Sequence, residues 1–254
     1  MSVPKQATEP AAATATDPNA EPNEPAELRQ PGERSRSGAA AALADAAPAV
    51  MNPKLKLGLA FGFTGLWFAL MTRFGEGDVY SVIGPYAAVV SATCLVLPPH
   101  QHLRALAVTR RGVLAGVLVG VLMTALTYPV FRIANHFIPT LEHQVRALYH
   151  SAHSTTVPVA LAWLSAIVLG EELLFRDLLP QALELWTARW QAYAISGLVY
   201  ALAQLGSGSF IVALLAACCA AVWSVLRIRT DSLLSAVIAH AIWTPIVIVL
   251  YPVV

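Results

Sequence analysis

Residues 157–177 read VPVALAWLSAIVLGEELLFRD, an apolar run that ends with two adjacent glutamates. Positions 157–170 carry no charged side chain, and about 20 residues of helix cross the hydrocarbon core of a bilayer. The run therefore predicts a membrane-spanning helix. Because an ionised carboxylate at membrane depth costs at least about 2.5 kcal/mol, we expect Glu171 and Glu172 to face the interior of a helical bundle and to have partners there.

The composition of the whole chain agrees with a membrane protein. Of its 254 residues, 57% belong to the apolar set AVILMFWYC and only 12% are charged, whereas soluble domains carry about 25% charged residues. With a mean hydropathy of +0.61, these values exclude a disordered chain, a coiled coil and a typical cytosolic enzyme. The net charge of +1 provides no electrostatic footprint for nucleic acid, so no nucleic-acid partner is expected.

Seven apolar segments follow one another after residue 50, and each approaches the length of a membrane span. They cover residues 57–72, 79–98, 112–134, 157–175, 190–206, 209–226 and 233–254. A shorter apolar piece, residues 178–186, continues the fourth segment. We therefore predict an all-α fold, a polytopic membrane bundle of about seven or eight helices.

Residues 1–50 differ from the rest of the chain. They are rich in Ala, Pro and Glu and contain no aromatic side chain, so they cannot bury enough apolar surface to offset the entropy lost on ordering. We predict a disordered tail over 1–50, able to tether a partner protein, and a transmembrane domain over 51–254. The composition of the tail is typical of bacteria with high-GC genomes.

Basic residues lie at alternate ends of the predicted spans, and Glu76 and Asp78 occupy an opposite end. Cytoplasmic loops carry an excess of Lys and Arg. The pattern predicts an integral membrane protein with a cytoplasmic N-terminus, in keeping with a bacterial inner membrane. The basic residues that define it are Lys54, Lys56, Arg104, Arg110, Arg111, Arg176, Arg189, Arg227 and Arg229.

Residues 133–156, between the third and fourth spans, are too polar to cross a membrane. His136, His143 and His150 recur there at every seventh position. Neighbours at i and i+4 would be better placed than i and i+7 to share a metal. The segment therefore predicts an amphipathic helix at the membrane interface rather than a metal site.

Helix geometry gives the two glutamates of the fourth span different expected roles. Glu172 and Arg176 are four residues apart in the favourable Glu-before-Arg order, which predicts a structural ion pair. Glu171 projects about 100° away and is left as a candidate general base. A polar latch that pins helices together and a carboxylate in a transport path are the alternatives that the residues themselves leave open.

Three motifs of this chain resemble those of the CPBP family, the CAAX prenyl proteases and bacteriocin-processing or immunity proteins also called ABI. The run Glu171-Glu172-x-x-x-Arg176, followed by Asp177-Leu-Leu-Pro180, is similar to the first motif of the family. Tyr200-Ala-Leu-Ala-Gln204 stands where the second motif has Phe-x-x-x-His, and His240-Ala-Ile-Trp-Thr244 where the third has His-x-x-x-Asn or His-x-x-x-Asp. The resemblance covers about residues 157–250 and implies a glutamate-dependent intramembrane peptidase fold of about eight helices.

The resemblance implies a role for four residues. In the family the first-motif glutamate and the second-motif histidine activate a water, and the third motif stabilises the oxyanion. By position, Glu171 would be the base, Gln204 would hold the water, and His240 and Thr244 would donate to the oxyanion. No cofactor is implied, and no metal is expected, because Glu171, Gln204 and His240 include only two good ligands where a catalytic zinc normally has three.

Chain arithmetic places two of these residues at one depth. If the helix that holds Glu171 reverses at a turn near residues 187–189, Gln204 lies as far after the turn as Glu171 lies before it. We therefore expect Gln204 to return to the level of Glu171. The same construction for His240, from a turn near 227–231, places it about 10 Å from the depth of the other two residues, at 1.5 Å per residue.

The predicted function is that of an intramembrane endopeptidase acting on a membrane-associated protein or peptide. Gln204 and Thr244 depart from the family pattern, and an amide cannot transfer a proton as an imidazole does. A catalytically weak or inactive paralogue, acting as an immunity, sorting or chaperone-like binding partner, is the alternative. A small transporter with Glu171 as its proton relay is a third hypothesis, which the lack of an inverted repeat disfavours.

Overall fold

The computed structural model describes residues 51–74, 79–97 and 104–254. Within these residues the structure contains helices and no strand, which confirms the predicted all-α bundle. The predicted tail over 1–50 lies outside the described residues. Eight helices of more than ten residues follow one another: α1 Pro53–Phe74, α2 Val79–Val96, α3 Arg110–Phe137, α4 Leu141–Ala152, α5 Val157–Leu183, α6 Arg189–Gln204, α7 Phe210–Thr230 and α8 Leu233–Leu250.

Five of these helices, α1, α3, α5, α7 and α8, are long and apolar enough to cross a membrane, and α2 is a shorter apolar helix. The lipid-facing surface is clearest on α3, where Leu114, Leu118 and Ile133 are all more than half exposed. Large exposed apolar surfaces of this kind are rare on soluble monomers. The chain is an integral membrane protein.

The predicted span over 190–206 is shorter than expected. Helix α6 has 16 residues, about 24 Å at 1.5 Å per residue, which falls short of a hydrocarbon core of about 30 Å. A 3₁₀ turn at Leu205–Ser207 ends it. Gly206 makes that turn possible by close packing, because a Cβ there would lie 2.6 Å from the carbonyl oxygen of Phe68.

Helix α5 changes its hydrogen-bonding pattern directly after its two glutamates. It is α-helical from Val157 to Leu173, π-helical from Leu174 to Leu178 and α-helical again to Leu183. All five residues of the π-helical turn are buried. Such turns are rare in proteins and are frequently found at functional sites.

A stripe of glycines holds α3 against α8. Added Cβ atoms at Gly116 and Gly120 would lie 2.7 Å from the carbonyl oxygen of Ser235 and 3.0 Å from that of Ala239. Small residues at four-residue spacing let two membrane helices approach closely and pack their backbones. The stripe therefore sets the position and rotation of α8, the helix that carries His240.

Gly170 plays a similar part for α5. A Cβ at this position would lie 2.8 Å from the carbonyl oxygen of Ala87 on α2. Because Gly170 directly precedes Glu171, the close contact of α5 with α2 fixes the helix at the point where the two carboxylates begin.

The histidine row does not lie on one helix, contrary to the prediction. His136 belongs to α3, whereas His143 and His150 belong to α4. Pro139 separates the two helices, since a proline disfavours helical backbone at the residue before it, and Ile138 has a non-helical ψ of 81°. All three histidines are exposed, so the predicted amphipathic helix is confined to α4.

Candidate active site

The four residues predicted for the site line one cavity. It has a volume of about 190 Å³ and lies among α1, α2, α4, α5, α6, α7 and α8. Its wall is largely apolar, with Glu171, Gln204, His240 and Thr244 among its polar members. The two turns that the chain makes after α5 and after α7 thus bring three separate stretches of sequence to a single chamber.

Glu171 is held at both of its carboxylate oxygens. Its Oε1 accepts a hydrogen bond of 2.8 Å from the side-chain amide of Gln204, and its Oε2 accepts one of 3.0 Å from the hydroxyl of Tyr200. The side chain of Glu171 is only 6% exposed. The contact with Gln204 places the two residues at the same depth, as the helical hairpin of α5 and α6 requires.

Glu172 contacts a second helix in addition to its expected partner, Arg176. Its Oε1 lies 2.9 Å from Nδ1 of His240 on α8 and 3.8 Å from Nη1 of Arg176. The shorter contact is therefore the one to His240, while the arginine predicted as its partner is at ion-pair distance only. The π-helical turn begins after Glu172 and includes Arg176, so it changes the register that a regular helix would give the two residues.

Arg176 is buried completely, at 0% exposure. Its guanidinium carbon lies 4.5 Å from the ring centre of Tyr200 and 5.1 Å from that of Trp223, and no hydrogen-bond acceptor among the described residues reaches its guanidinium nitrogens. Two aromatic faces and the charge of Glu172 therefore stabilise this cation.

His240 presents its second nitrogen to the first glutamate. Its Nε2 lies 3.7 Å from Oε2 of Glu171, beyond hydrogen-bond distance. The ring of Trp223 stacks on the imidazole, with 3.7 Å between centroids and 21° between planes. Glu172 and Trp223 together fix the orientation of the imidazole, so that Nε2 points toward Glu171.

Thr244 follows His240 by one helical turn and lines the same cavity. Its hydroxyl oxygen is buried and has no hydrogen-bond partner within residues 51–74, 79–97 and 104–254. A buried hydroxyl without a partner is costly. The Thr244 hydroxyl is therefore available to donate a hydrogen bond to a group that enters the cavity.

Residues 153–246 match the family model for type II CAAX prenyl endopeptidase Rce1-like proteins. Over these residues the chain is similar to the CAAX prenyl protease family. No curated protein and no solved structure matched the chain.

The matched residues include α5, α6, α7 and the α-helical part of α8, and all four predicted site residues lie among them. No group of three His, Cys, Asp or Glu side chains in the described part of the chain is arranged to hold a metal ion.

Two residues of this candidate site were not assigned a role from the sequence. Tyr200 lies four residues before Gln204, so a helix places both on one face, and that spacing could have indicated its contact with Glu171. Trp223 is the other. No pattern in the apolar run of α7 distinguishes it from a residue that packs in the core.

Proposed function

We propose that the protein is an intramembrane endopeptidase that hydrolyses a peptide bond of a membrane-associated protein or peptide with a water activated by Glu171. The observation that carries the proposal is the position of Glu171. Its carboxylate is buried from solvent, accepts a hydrogen bond at each oxygen and lines the same cavity as the two candidate oxyanion donors, His240 and Thr244. The family match over the same helices supports it.

Glu171 would carry the proton in both halves of the reaction. A carboxylate offers about four lone-pair sites, so two hydrogen bonds leave room for one from a water. Glu171 takes a proton from that water while the water oxygen attacks the carbonyl carbon of the substrate. When the C–N bond breaks, the same proton passes from Glu171 to the leaving nitrogen, which yields an acid and an amine.

Gln204 would hold the carboxylate and the water without exchanging a proton. Its amide nitrogen donates to Glu171, and its amide oxygen is an acceptor for a water proton. The role is one of geometry, because an amide has no acid–base function at ordinary pH.

His240 would donate to the oxyanion through Nε2–H. Its Nδ1 faces Glu172 at 2.9 Å, which leaves Nε2 as the ring nitrogen that faces the cavity side of Glu171. Donation to the oxyanion requires that Nε2 carry a proton. Hydrogen-bond donors that point to a developing oxyanion are commonly the largest single contribution to catalysis of this type.

Thr244 would supply the second donor. Its unpartnered hydroxyl shares the cavity with His240 and can replace one of the hydrogen bonds that an asparagine would make. Removing one oxyanion donor from a peptidase costs about 10² to 10³ in turnover.

We propose a cytoplasmic N-terminus and a location in a bacterial inner membrane. Three contacts support this orientation, because they gather the basic helix ends on one side. Arg111 donates to the carbonyl oxygen of Arg229 at 3.0 Å, Arg189 pairs with Asp231 at 2.5 Å, and Lys56 donates to Gln181 at 2.9 Å. An excess of basic residues is typical of the cytoplasmic side.

A non-catalytic partner of membrane-anchored peptides is the second candidate function. The observation that favours it is the amide at position 204, since the loss of an acid–base partner typically costs about 10² to 10⁴ in rate. A peptide would occupy the same apolar cavity in either case, so the two functions differ in the fate of the peptide.

A comparison of membrane proteomes tests the proposal in cells. Strains with wild type, Glu171→Ala and the control Glu184→Gln, a partly exposed glutamate at the end of α5, are compared for the termini of their membrane proteins. We expect a precursor to accumulate with Glu171→Ala and not with the control. Identical termini in all three strains would refute the peptidase.

A further inference from the structure

The hydroxyl of Tyr200 is the second hydrogen-bond donor to Glu171. It donates to Oε2 over 3.0 Å, while Gln204, one turn later on the same face of α6, donates to Oε1 over 2.8 Å. The two donors thus hold the carboxylate at both ends. A carboxylate held in this way cannot rotate without breaking a hydrogen bond to a charged group, the stronger class of such bonds.

Tyr200 is suited to this task because the rest of its side chain is fixed. It is 5% exposed, its ring lies 5.0 Å from that of Phe175, and the guanidinium of Arg176 lies over its face. These ring contacts do not require the hydroxyl. The hydroxyl donates to Glu171, so it acts on the carboxylate and not on the packing of the ring.

The sequence shows that the hydroxyl and the amide occur together. This chain has Tyr200-x-x-x-Gln204 where the second motif of the CPBP family, which it resembles, has Phe-x-x-x-His. One position gains a donor and the other loses a group that can exchange a proton. Because both side chains meet the same carboxylate, the two differences act on a single group.

We infer that Tyr200 is a positioning residue for Glu171, whose hydroxyl compensates for the missing histidine by holding the carboxylate toward the water. The inference rests on the proposed function. With glutamine at position 204, Glu171 performs both proton transfers by itself, so its orientation decides the rate. Effective alignment of a catalytic group contributes strongly to rate, and small misplacements are costly.

The test is a cycle of purified variants in lipid vesicles, with the precursor from the proteome comparison as substrate. Tyr200→Phe keeps the ring and removes the hydroxyl, and we expect kcat to fall about tenfold with KM unchanged. In the Gln204→His background, Tyr200→Phe should lower kcat threefold or less, because an imidazole can itself form a hydrogen bond to Glu171 and exchange a proton. Tyr193→Phe, a buried tyrosine two turns earlier on α6, is the matched control.

The same variants distinguish a failure of the positioning role of Tyr200 from a failure of the peptidase activity. Two results would overturn the positioning role while Glu171→Gln abolishes cleavage. In one, Tyr200→Phe retains the wild-type kcat; in the other, it lowers kcat by the same factor in the wild-type and Gln204→His backgrounds. If wild type does not cleave the precursor, the peptidase proposal fails. The contact between the Tyr200 hydroxyl and Glu171 is then tested by infrared spectroscopy, with the carboxyl band of Glu171 isolated as the difference between wild type and Glu171→Gln. A shift of this band in the Tyr200→Phe background shows that the hydroxyl holds the Glu171 carboxylate, and an unchanged band overturns that contact.

Discussion

Nδ1 of His240 lies 2.9 Å from Oε1 of Glu172. The contact joins α8 to α5 inside the bundle, where both side chains are nearly inaccessible. Since Arg176 is also within 3.8 Å of the same oxygen, Glu172 is the carboxylate that connects the buried cation of α5 with the imidazole of α8. Its expected function is therefore structural, in contrast to that of Glu171.

Loss of the Glu172 charge should destabilise the bundle more than a substitution at an exposed ion pair. Glu172→Gln leaves Arg176 buried without its nearest counter-charge, and breaking one side of a buried pair costs about 3 to 5 kcal/mol. Arg176→Ala should lower the thermal stability in detergent as well. The control is Glu142→Gln: Glu142 accepts from Arg146 at 2.6 Å in an exposed pair, and exposed pairs contribute little. Equal melting temperatures for wild type, Glu172→Gln and Arg176→Ala would contradict the pairing.

The fold was predictable from the sequence because apolar runs long enough to cross a bilayer can only be helices or barrel strands. The level of Gln204 relative to Glu171 was also predictable, since a short hairpin returns the chain by as many residues as it advanced. The contact of Glu172 with His240 was not. It depends on the π-helical turn that follows Glu172 and on the rotation of α8, and neither has a signature in hydropathy.

A small increase in side-chain volume at Gly116 should disrupt the contact of α3 with α8. The Cβ of Gly116→Ala would lie 2.7 Å from the carbonyl oxygen of Ser235, so the helices must separate, and overpacking of this kind costs about 1 to 3 kcal/mol. Gly62→Ala on α1 is the matched control, because no atom lies within 4 Å of the added carbon. We expect a lower melting temperature for Gly116→Ala only. Similar stability of the two variants would argue against the glycine stripe as the device that positions α8.

Substitutions of Gln204 separate a positioning role from a passive one. Gln204→Ala removes the 2.8 Å hydrogen bond to Glu171 and should lower turnover by an order of magnitude or more. Gln204→His adds a group that can exchange a proton and should raise turnover. Both are measured as the initial rate of precursor cleavage in vesicles. Rates that are the same for all three proteins would assign no catalytic part to this position.

The junction of α7 and α8 should respond to acid. Arg189 donates to Asp231 at 2.5 Å and lowers the pKa of the Asp231 carboxyl below its ordinary value. A lowered pKa means that the contribution to stability is present at neutral pH and is lost as the pH falls below the ordinary aspartate value of about 3.9. Asp231→Asn should therefore slightly lower the melting temperature at pH 7, and the difference from wild type should shrink in acid. A difference that is independent of pH would contradict the ion pair.

The central claim is that Glu171 activates the water, and turnover by the purified protein tests it most directly. Wild type, Glu171→Gln and the control Glu184→Gln are reconstituted in vesicles with the precursor identified in cells, and the release of the cleaved fragment is followed. Glu171→Gln keeps a side chain of similar size and removes the proton acceptor, so we expect its rate to fall at least about 10²-fold while Glu184→Gln cleaves as wild type does. Cleavage by Glu171→Gln at the wild-type rate would contradict the claim.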